Sequence, residues 1–329
     1  MLLEKLTAIV GDANVLTGEQ VRSRAVGWAD RSPCQARAIV RPGSTDEVSR
    51  VLAECHASGQ PVVLFGGLTG LVQGSVASEH EIALSLERMH RIESIDPVGR
   101  TMTVEAGVAV QRIQEEAEKH GLLYPVDFGA RGSAHIGGSA ATNAGGNGVI
   151  RYGMTRDSVL GLEAVLADGT VIPAMNRMIK NNAAYDVKQL FIGTEGTLGV
   201  ITRLVLRLRE SPRSTQSALV ACPAFADVTR FLKHVDGALG GSLSAFELMW
   251  NGFYRMVTTP PSKGTPPLPQ TYDYYVLVES AGGDPARDQA QFAEAVAAAI
   301  EAGLVVDAVV CSSEAQRDAL WALRDDVEG

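Results

Sequence analysis

The stretch from Val126 to Asn147, VDFGARGSAHIGGSAATNAGGN, constrains the fold more than any other part of the chain. It consists mostly of Gly, Ala and Ser, has no aromatic residue after Phe128, and carries Asp127, Arg131 and the titratable His135 as its only ionisable side chains. Such a segment buries too little apolar surface to serve as a core strand or helix. Glycine also loses the most backbone entropy on ordering, so its density here needs a cause. Close approach of backbone to a bulky group is that cause, because successive N–H groups in turn conformations form concave nests for phosphate. The stretch predicts a cradle for a large phosphorylated cofactor.

Two further glycine loops point the same way. Phe65 to Ser75, FGGLTGLVQGS, follows the strand candidate Pro61-Val62-Val63-Leu64, and Gly193 to Gly199, GTEGTLG, leads into the alternating strand Val200 to Leu208. A cofactor met by three separated loops must be long. The commoner glycine signatures are missing. No G-x-x-x-x-G-K-[ST] is present, no G-x-G-x-x-G joins a strand to a helix, and neither a G-x-S-x-G elbow nor an H-x-x-x-H pair occurs. A nucleotide-hydrolysing P-loop and a Rossmann nicotinamide site are therefore excluded.

With 329 residues the chain exceeds the length at which one hydrophobic core stops growing, so two domains are expected. A formal net charge of -9 argues against an electrostatic nucleic-acid binder. Cys34, Cys55, Cys222 and Cys311 lie far apart and form no C-x-x-C pair, which suits free thiols in a reducing compartment. Glu4 and Lys5 interrupt the apolar N-terminal residues, which thus match neither a signal peptide nor a membrane span; no apolar run elsewhere reaches the ~20 residues such a span needs. A soluble, cytoplasmic protein is expected.

Residues 1–32 predict a helix and connector. Ala36 to Val40 is a strand, Ser44-x-x-Glu47 a capping box that starts a helix closed at Gly59, and Pro61 to Leu64 a second strand; this unit predicts a small parallel pair. Hairpins are expected at Pro97-Val98-Gly99 and at Asp168-Gly169. Pro212 marks a boundary between domains at 33–212 and 213–329. In the second domain strands and helices alternate without glycine fingerprints, predicting an antiparallel sheet with helices on one face. A domain that stops at Gly329, directly after a helix, is expected to be truncated at its C-terminus.

These residues carry a resemblance. FGGLTGLVQGS, HIGGSAATNAGG with Arg151-Tyr152-Gly153, GLEAVLADGT, KNNAAYD and FIGTEGTLGVIT are similar to the FAD-binding domain of the vanillyl-alcohol oxidase or PCMH type. Within it the chain resembles the branch of D-lactate, glycolate and D-2-hydroxyglutarate dehydrogenases; LSAFELMW (Leu243 to Trp250) and LWALRDD (Leu320 to Asp326) resemble the last of these. The similarity runs from Ala36 onward. It implies an α+β fold: a PCMH-type FAD-binding domain of two α/β subdomains, followed by an antiparallel-sheet substrate (cap) domain.

By the resemblance, the first loop (Gly66, Gly67, Leu68, Thr69, Gly70, Leu71, Gly74, Ser75) wraps the FAD pyrophosphate. Pro125, Gly132, Ser133, Ile136, Gly137, Gly138, Thr142, Asn143, Gly145 and Gly146 line the ribityl chain and flavin. Tyr152, Gly153, Glu195, Gly196, Gly199 and Ile201 complete the pocket. Leu68 stands where some relatives tether flavin through a histidine, so the FAD is expected to be non-covalent, and Phe65 replaces an arginine common before the first glycine pair. His135 is weighed as a flavin contact against a local hydrogen bond, and Lys180, Asn182 and Tyr185 as a closing segment against a solvated loop. Arg324 is implied to hold the substrate carboxylate; the competing reading pairs it with Asp325 or Asp326. Glu328 stands where a threonine is expected.

The resemblance implies oxidation of a D-2-hydroxy acid, such as D-2-hydroxyglutarate, to the 2-oxo acid by hydride transfer to flavin N5, with electrons passing to an electron-transfer flavoprotein or quinone. It allows a homodimer. The divalent metal of the family, with its histidine and acidic ligands, is implied only through residues beyond those given. No catalytic residue is assigned within 1–329. Two rivals are a D-lactate or glycolate dehydrogenase and a non-catalytic FAD-binding electron-transfer subunit.

Overall fold

The computed structural model describes residues 2–262 and 264–326. The chain divides into two compact units, one holding the residues up to Gly145 with Met154–Glu210, the other Gly146–Gly153 with the residues from Ser211 on.

The first unit opens with α1 (Leu2–Val10), β1 (Val15–Leu16), α2 (Glu19–Arg22), β2 (Ala38–Val40), α3 (Thr45–Ala57), β3 (Val62–Phe65) and β4 (Ile82–Ser85). Ser44 caps α3 by accepting the Glu47 N–H at 3.2 Å, and Glu47 accepts the Gly43 N–H at 2.7 Å, so the reciprocal bond lands one residue before the cap. Val48, Val51, Leu52 and Cys55 recur at helical spacing and pack with β2 and β4 in one core. The sheet order is β1-β2-β4-β3. The expected strand–helix–strand unit is parallel, but β2 and β3 are not neighbours: both pair with β4, Ala38 and Val62 each opposite Ile82. Ile82, Ala83 and Leu84 are fully buried, and a strand apolar on both faces takes the centre of a sheet.

A second sheet follows. Along this part of the chain come β5 (Ile92–Asp96), β6 (Thr101–Glu105), α4 (Val110–Glu118), β7 (Leu122–Leu123), α5 (Ile136–Ala141), α6 (Val149–Tyr152), α7 (Thr155–Ser158), β8 (Val159–Val165), β9 (Val171–Ala174), β10 (Val200–Arg207) and β11 (Arg209–Glu210). The order β5-β6-β10-β8-β9 is antiparallel throughout, and β11 pairs with β7. Both expected hairpins form. Asp96 Oδ1 accepts the N–H groups of Val98 and Gly99, and Asp168 Oδ1 that of Thr170, so the aspartates supply the bonds that the turns leave open.

The second unit is one antiparallel sheet, β12 (Ser214–Cys222), β13 (Leu243–Trp250), β14 (Tyr274–Gly282) and β15 (Asp307–Val310), in the order β13-β14-β12-β15. Its helices are α8 (Phe225–Leu239), α9 (Asn251–Thr258), α10 (Pro285–Glu301) and α11 (Glu314–Asp325). The expected helical layer is α8 and α10, whose Phe231, Val235, Phe292 and Val296 cover Ala218, Val220, Val276 and Val278. The alternate residues Leu219, Ala221, Tyr275 and Leu277 are also apolar, and α9 and α11 bury them through Tyr254, Val257, Leu320 and Leu323. Helices thus cover both faces rather than one, because β12 and β14 are hydrophobic on both sides. The proline-rich loop is anchored by the Tyr254 hydroxyl, which donates to the Leu268 carbonyl and accepts its N–H. α6 belongs to this unit: Arg151 donates to the carbonyls of Ser242, at 3.1 Å, and Ala281. Among the described residues no helix is long and apolar enough to cross a membrane.

Candidate cofactor site

The three glycine loops converge within the first unit on one cavity of about 360 Å³. The first loop continues β3. The second is stitched to the β6–α4 connection by the bonds Val110 N–H to Ala134 O, Ile136 N–H to Val108 O and Gly137 N–H to Ala106 O, at 2.8–3.0 Å. The third is tied to the end of α5, where the Gly193 and Glu195 N–H groups donate to Ala140 O and Ala141 O. Backbone pairing thus fixes the second and third loops, and the first is held by the Trp28 N–H on Leu68 O and the Ser75 hydroxyl on Val26 O.

Nine glycines are among the lining residues, and they have two different reasons to be glycine. A Cβ on Gly67 would lie 2.0 Å from the Ser133 carbonyl oxygen, one on Gly137 2.6 Å from Ala106 Cβ, and one on Gly196 2.2 Å from Leu64 Cδ1. These three let protein segments cross. A Cβ on Gly70 or Gly138 meets nothing within 4 Å; these two face open cavity. Leu68, Gln73, Asn143 and Glu195 hold left-handed φ angles of 56°, 59°, 49° and 52°, a strain of about 1 kcal/mol or more each that gathers in the three loops around the cavity.

Among the described residues, His135 and Glu195 are the only ionisable side chains in the lining. A pyrophosphate bound here would thus be held by backbone N–H groups and the Thr69 hydroxyl, without a lysine or arginine, the Ser75 hydroxyl donating instead to the Val26 carbonyl at 3.1 Å. Phe128, Leu86, Ala106 and Ile201 supply an apolar wall for a flat ring system. Nδ1 of His135 is buried without a hydrogen-bond partner. Burial pushes the His135 pKa below its usual value, with Glu87 opposing and His90 adding to the shift, which favours the neutral ring. Small residues beside open space, an apolar wall and an orphaned polar nitrogen fit a long dinucleotide with an aromatic head.

Of the residues expected to bind the cofactor, Gly66, Gly67, Leu68, Thr69, Gly70, Gly74, Ser75, Gly137, Gly138, Thr142, Gly145, Glu195, Gly196, Gly199 and Ile201 line the cavity. The others are placed elsewhere. Ile136 is fully buried in the core of the first unit, Pro125 is buried, and Leu71 is 70% exposed. Ser133 offers its carbonyl to the Gly67 crossing, and Gly132 packs beside Gln111. Asn143 caps α7 by accepting the Arg156 N–H at 2.9 Å. Gly146, Tyr152 and Gly153 belong to the second unit. Lys180, Asn182 and Tyr185 are exposed and are not part of the lining.

Leu86, Ala106 and Ala134 line the cavity without having been expected there, since isolated apolar residues carry no motif; Phe128, the one aromatic in the long glycine stretch, was the available signal. In the second unit, Arg324 Nε donates to Glu247 Oε2 at 2.9 Å, while its Nη1 lies 3.5 Å from Asp325. Glu328 lies outside the described residues. Among the described residues no group of three or more His, Cys, Asp or Glu is placed to hold a metal ion.

Fold and cradle together suit an FAD-binding protein, and residues 36–174 match the model of the FAD binding domain while 211–328 match that of the FAD linked oxidases, C-terminal domain. The chain thus carries an FAD binding domain followed by the C-terminal domain of FAD linked oxidases, and its cofactor is FAD. It is 38% identical to the mitochondrial D-2-hydroxyglutarate dehydrogenase of Bos taurus over 323 residues, 98% of this chain and 59% of that one. It is 39% identical to the D-2-hydroxyglutarate dehydrogenase of Xanthomonas citri over 300 residues, 91% of this chain and 62% of that one. The chain therefore spans about three fifths of the length of these relatives. Among solved structures, an alkyldihydroxyacetonephosphate synthase superposes with a TM-score of 0.79 at 18% identity, covering 99% of this chain and 63% of that one. A substrate-bound p-cresol methylhydroxylase gives 0.74 at 17% identity, covering 94% and 65%. At such identities these structures establish the α+β fold.

Proposed function

We propose that this chain is the FAD-binding and substrate-recognising part of a dehydrogenase that oxidises a D-2-hydroxy acid, of the D-2-hydroxyglutarate type, to the 2-oxo acid. The observation that carries the reading is a glycine-lined cradle, suited to a dinucleotide, in a chain almost all of which aligns with D-2-hydroxyglutarate dehydrogenases. The reaction removes a hydride from substrate C2 and a proton from its hydroxyl. Bound FAD supplies the two-electron acceptor, flavin N5. The cradle N–H groups hold the pyrophosphate, the wall of Phe128, Leu86, Ala106 and Ile201 keeps water from the ring, and the Arg324 guanidinium grips a carboxylate.

The division of labour follows the chain: residues 33–212 bind FAD and 213–329 recognise substrate. An electron-transfer flavoprotein or quinone reoxidises the flavin, and a homodimer is the assembly. The four free cysteines suit a reducing, cytoplasmic setting.

The test is an anaerobic absorption spectrum of the FAD-loaded chain before and after D-2-hydroxyglutarate. A flavin band that shifts or bleaches with the D-isomer and not with the L-isomer supports the reading. A band that stays fixed, with an unchanged melting temperature, overturns the substrate assignment. A stronger response to D-lactate moves the chain to the smaller-substrate relatives.

A further inference from the structure

We infer that His135 donates a hydrogen bond from Nε2–H to the isoalloxazine ring of FAD and thereby raises the reduction potential of the bound cofactor. The inference rests on the FAD reading of the cavity and adds a role for one residue within it.

The backbone presents the ring rigidly. His135 sits in extended conformation at the start of α5, bridged antiparallel to Ala109, with the flanking Ile136 N–H bonded to Val108 O at 2.9 Å. His135 lines the cavity, and among the described residues no hydrogen bond reaches either of its ring nitrogens. Nδ1 is sealed, which leaves Nε2 as the nitrogen open to a ligand.

The proton has one sensible place. A half-buried ring against an apolar wall favours its neutral form, which carries a single N–H. A sealed N–H without an acceptor is among the rarest arrangements in folded proteins, and a sealed lone pair is easier to tolerate. The proton therefore resides on Nε2, facing the ligand. The surroundings select the part of the cofactor it meets. Phe128, Ala106 and Leu86 give the shared cavity an apolar wall suited to the flat ring, and the His135 Cβ lies 4.0 Å from where a Gly66 Cβ would sit, two residues before Leu68, the position at which some relatives tether flavin. A donor against the carbonyl and nitrogen edge of a flavin stabilises the more electron-rich reduced ring over the oxidised one.

The experiment measures the midpoint potential of FAD bound to the chain, for the parent and for three variants. His135→Leu removes the donor and is expected to weaken binding of reduced relative to oxidised FAD about tenfold, which for a two-electron couple is about 30 mV. His135→Gln puts an amide N–H near the Nε2 position and recovers most of the shift; His135→Asn, whose amide reaches only the sealed Nδ1 position, does not. In ¹⁵N-histidine spectra of the parent, the Nε2 resonance moves on addition of FAD. A potential unchanged in the leucine variant, or equal recovery by Asn and Gln, overturns the inference. Where the leucine variant fails to fold, an Nε2 resonance indifferent to FAD overturns it as well. A parent chain that takes up no FAD fails earlier, and overturns the cofactor reading together with this one.

Discussion

Arg324 on α11 and Glu247 on β13 are joined by a 2.9 Å ion pair, which links the two motifs that carried the resemblance in the second unit, LWALRDD and LSAFELMW. The sequence alone placed the competing partners of Arg324 next to it, at Asp325 and Asp326. The nearer carboxylate comes instead from a strand 77 residues away in sequence. Glu247 engages the Nε edge of the guanidinium and so limits its rotation. Both side chains are partly exposed, at 33% and 23%, so the pair adds about 1 kcal/mol or less to stability and its value lies in orientation.

Arg324→Lys tests that orientation. Lysine keeps the charge but lacks the planar fork that meets a carboxylate bidentately. D-2-hydroxyglutarate, titrated against the flavin spectrum, is expected to bind about tenfold more weakly to Arg324→Lys and still more weakly to Arg324→Ala, with melting temperatures nearly unchanged. Equal affinity in all three proteins would remove Arg324 from substrate binding.

Glu87 should give the fold a distinct acid sensitivity. Burial raises its pKa, but hydrogen bonds and charge from Arg24 and Arg41 outweigh burial and lower it from 4.5 to about 2. A carboxylate with a depressed folded-state pKa stabilises the fold above its unfolded value, and that stability is lost as pH falls from about 4.5 toward 2. Chemical denaturation at pH 6 and pH 3 measures it. Glu87→Gln is expected to lose about 1 to 2 kcal/mol at pH 6 and to depend less on pH across that window, the solvent contact of the pair limiting the size. Parallel pH dependences in the two proteins would refute the assignment.

Local chemistry was legible and long-range placement was not. The cap at Ser44, the Asp96 and Asp168 turns and the amphipathic α3 follow from spacing within a dozen residues, and they fold as spaced. That β4 enters between β2 and β3 depends on which strand is apolar on both faces, a comparison across the sheet that no local window contains. The glycine loops announced a cofactor but not which glycine serves it: Gly67 and Gly137 are required by Ser133 and Ala106, segments remote in sequence, and Gly196 by its left-handed φ of 83°. Asn143 and Ile136 fell inside the motif, yet one caps α7 and the other fills the core.

Thiol chemistry offers an independent check on packing. Burial pushes the Cys55 thiol up to about 11 and the Cys222 thiol up to about 12, so thiolate is scarce at either site near neutral pH. Cys34 is fully buried, and Cys311 is only partly covered. An aromatic disulfide reagent at pH 8 should label Cys311 first and slowly, and all four cysteines once the chain is denatured. Prompt labelling of Cys55 or Cys222 in the native protein would mean that the helices over them open readily.

The two reasons for glycine separate in a pair of variants. Gly67→Ala drives a methyl group into the Ser133 carbonyl, a backbone atom that cannot rotate away, and is expected to cost about 3 kcal/mol of stability whether or not FAD is present. Gly138→Ala meets no protein atom within 4 Å and lies in α5, where alanine is intrinsically favoured by about 1 kcal/mol. The apo chain should therefore keep or gain stability in Gly138→Ala. The methyl group nevertheless projects into the space the cofactor is to fill, so FAD affinity, followed by flavin fluorescence quenching, should fall at least about tenfold. Stability without FAD and affinity for FAD thus move in opposite directions at this position. A Gly138→Ala chain that binds FAD as the parent does would show that the cofactor stays clear of α5, and the cradle would have to be redrawn around Gly70 and the first loop.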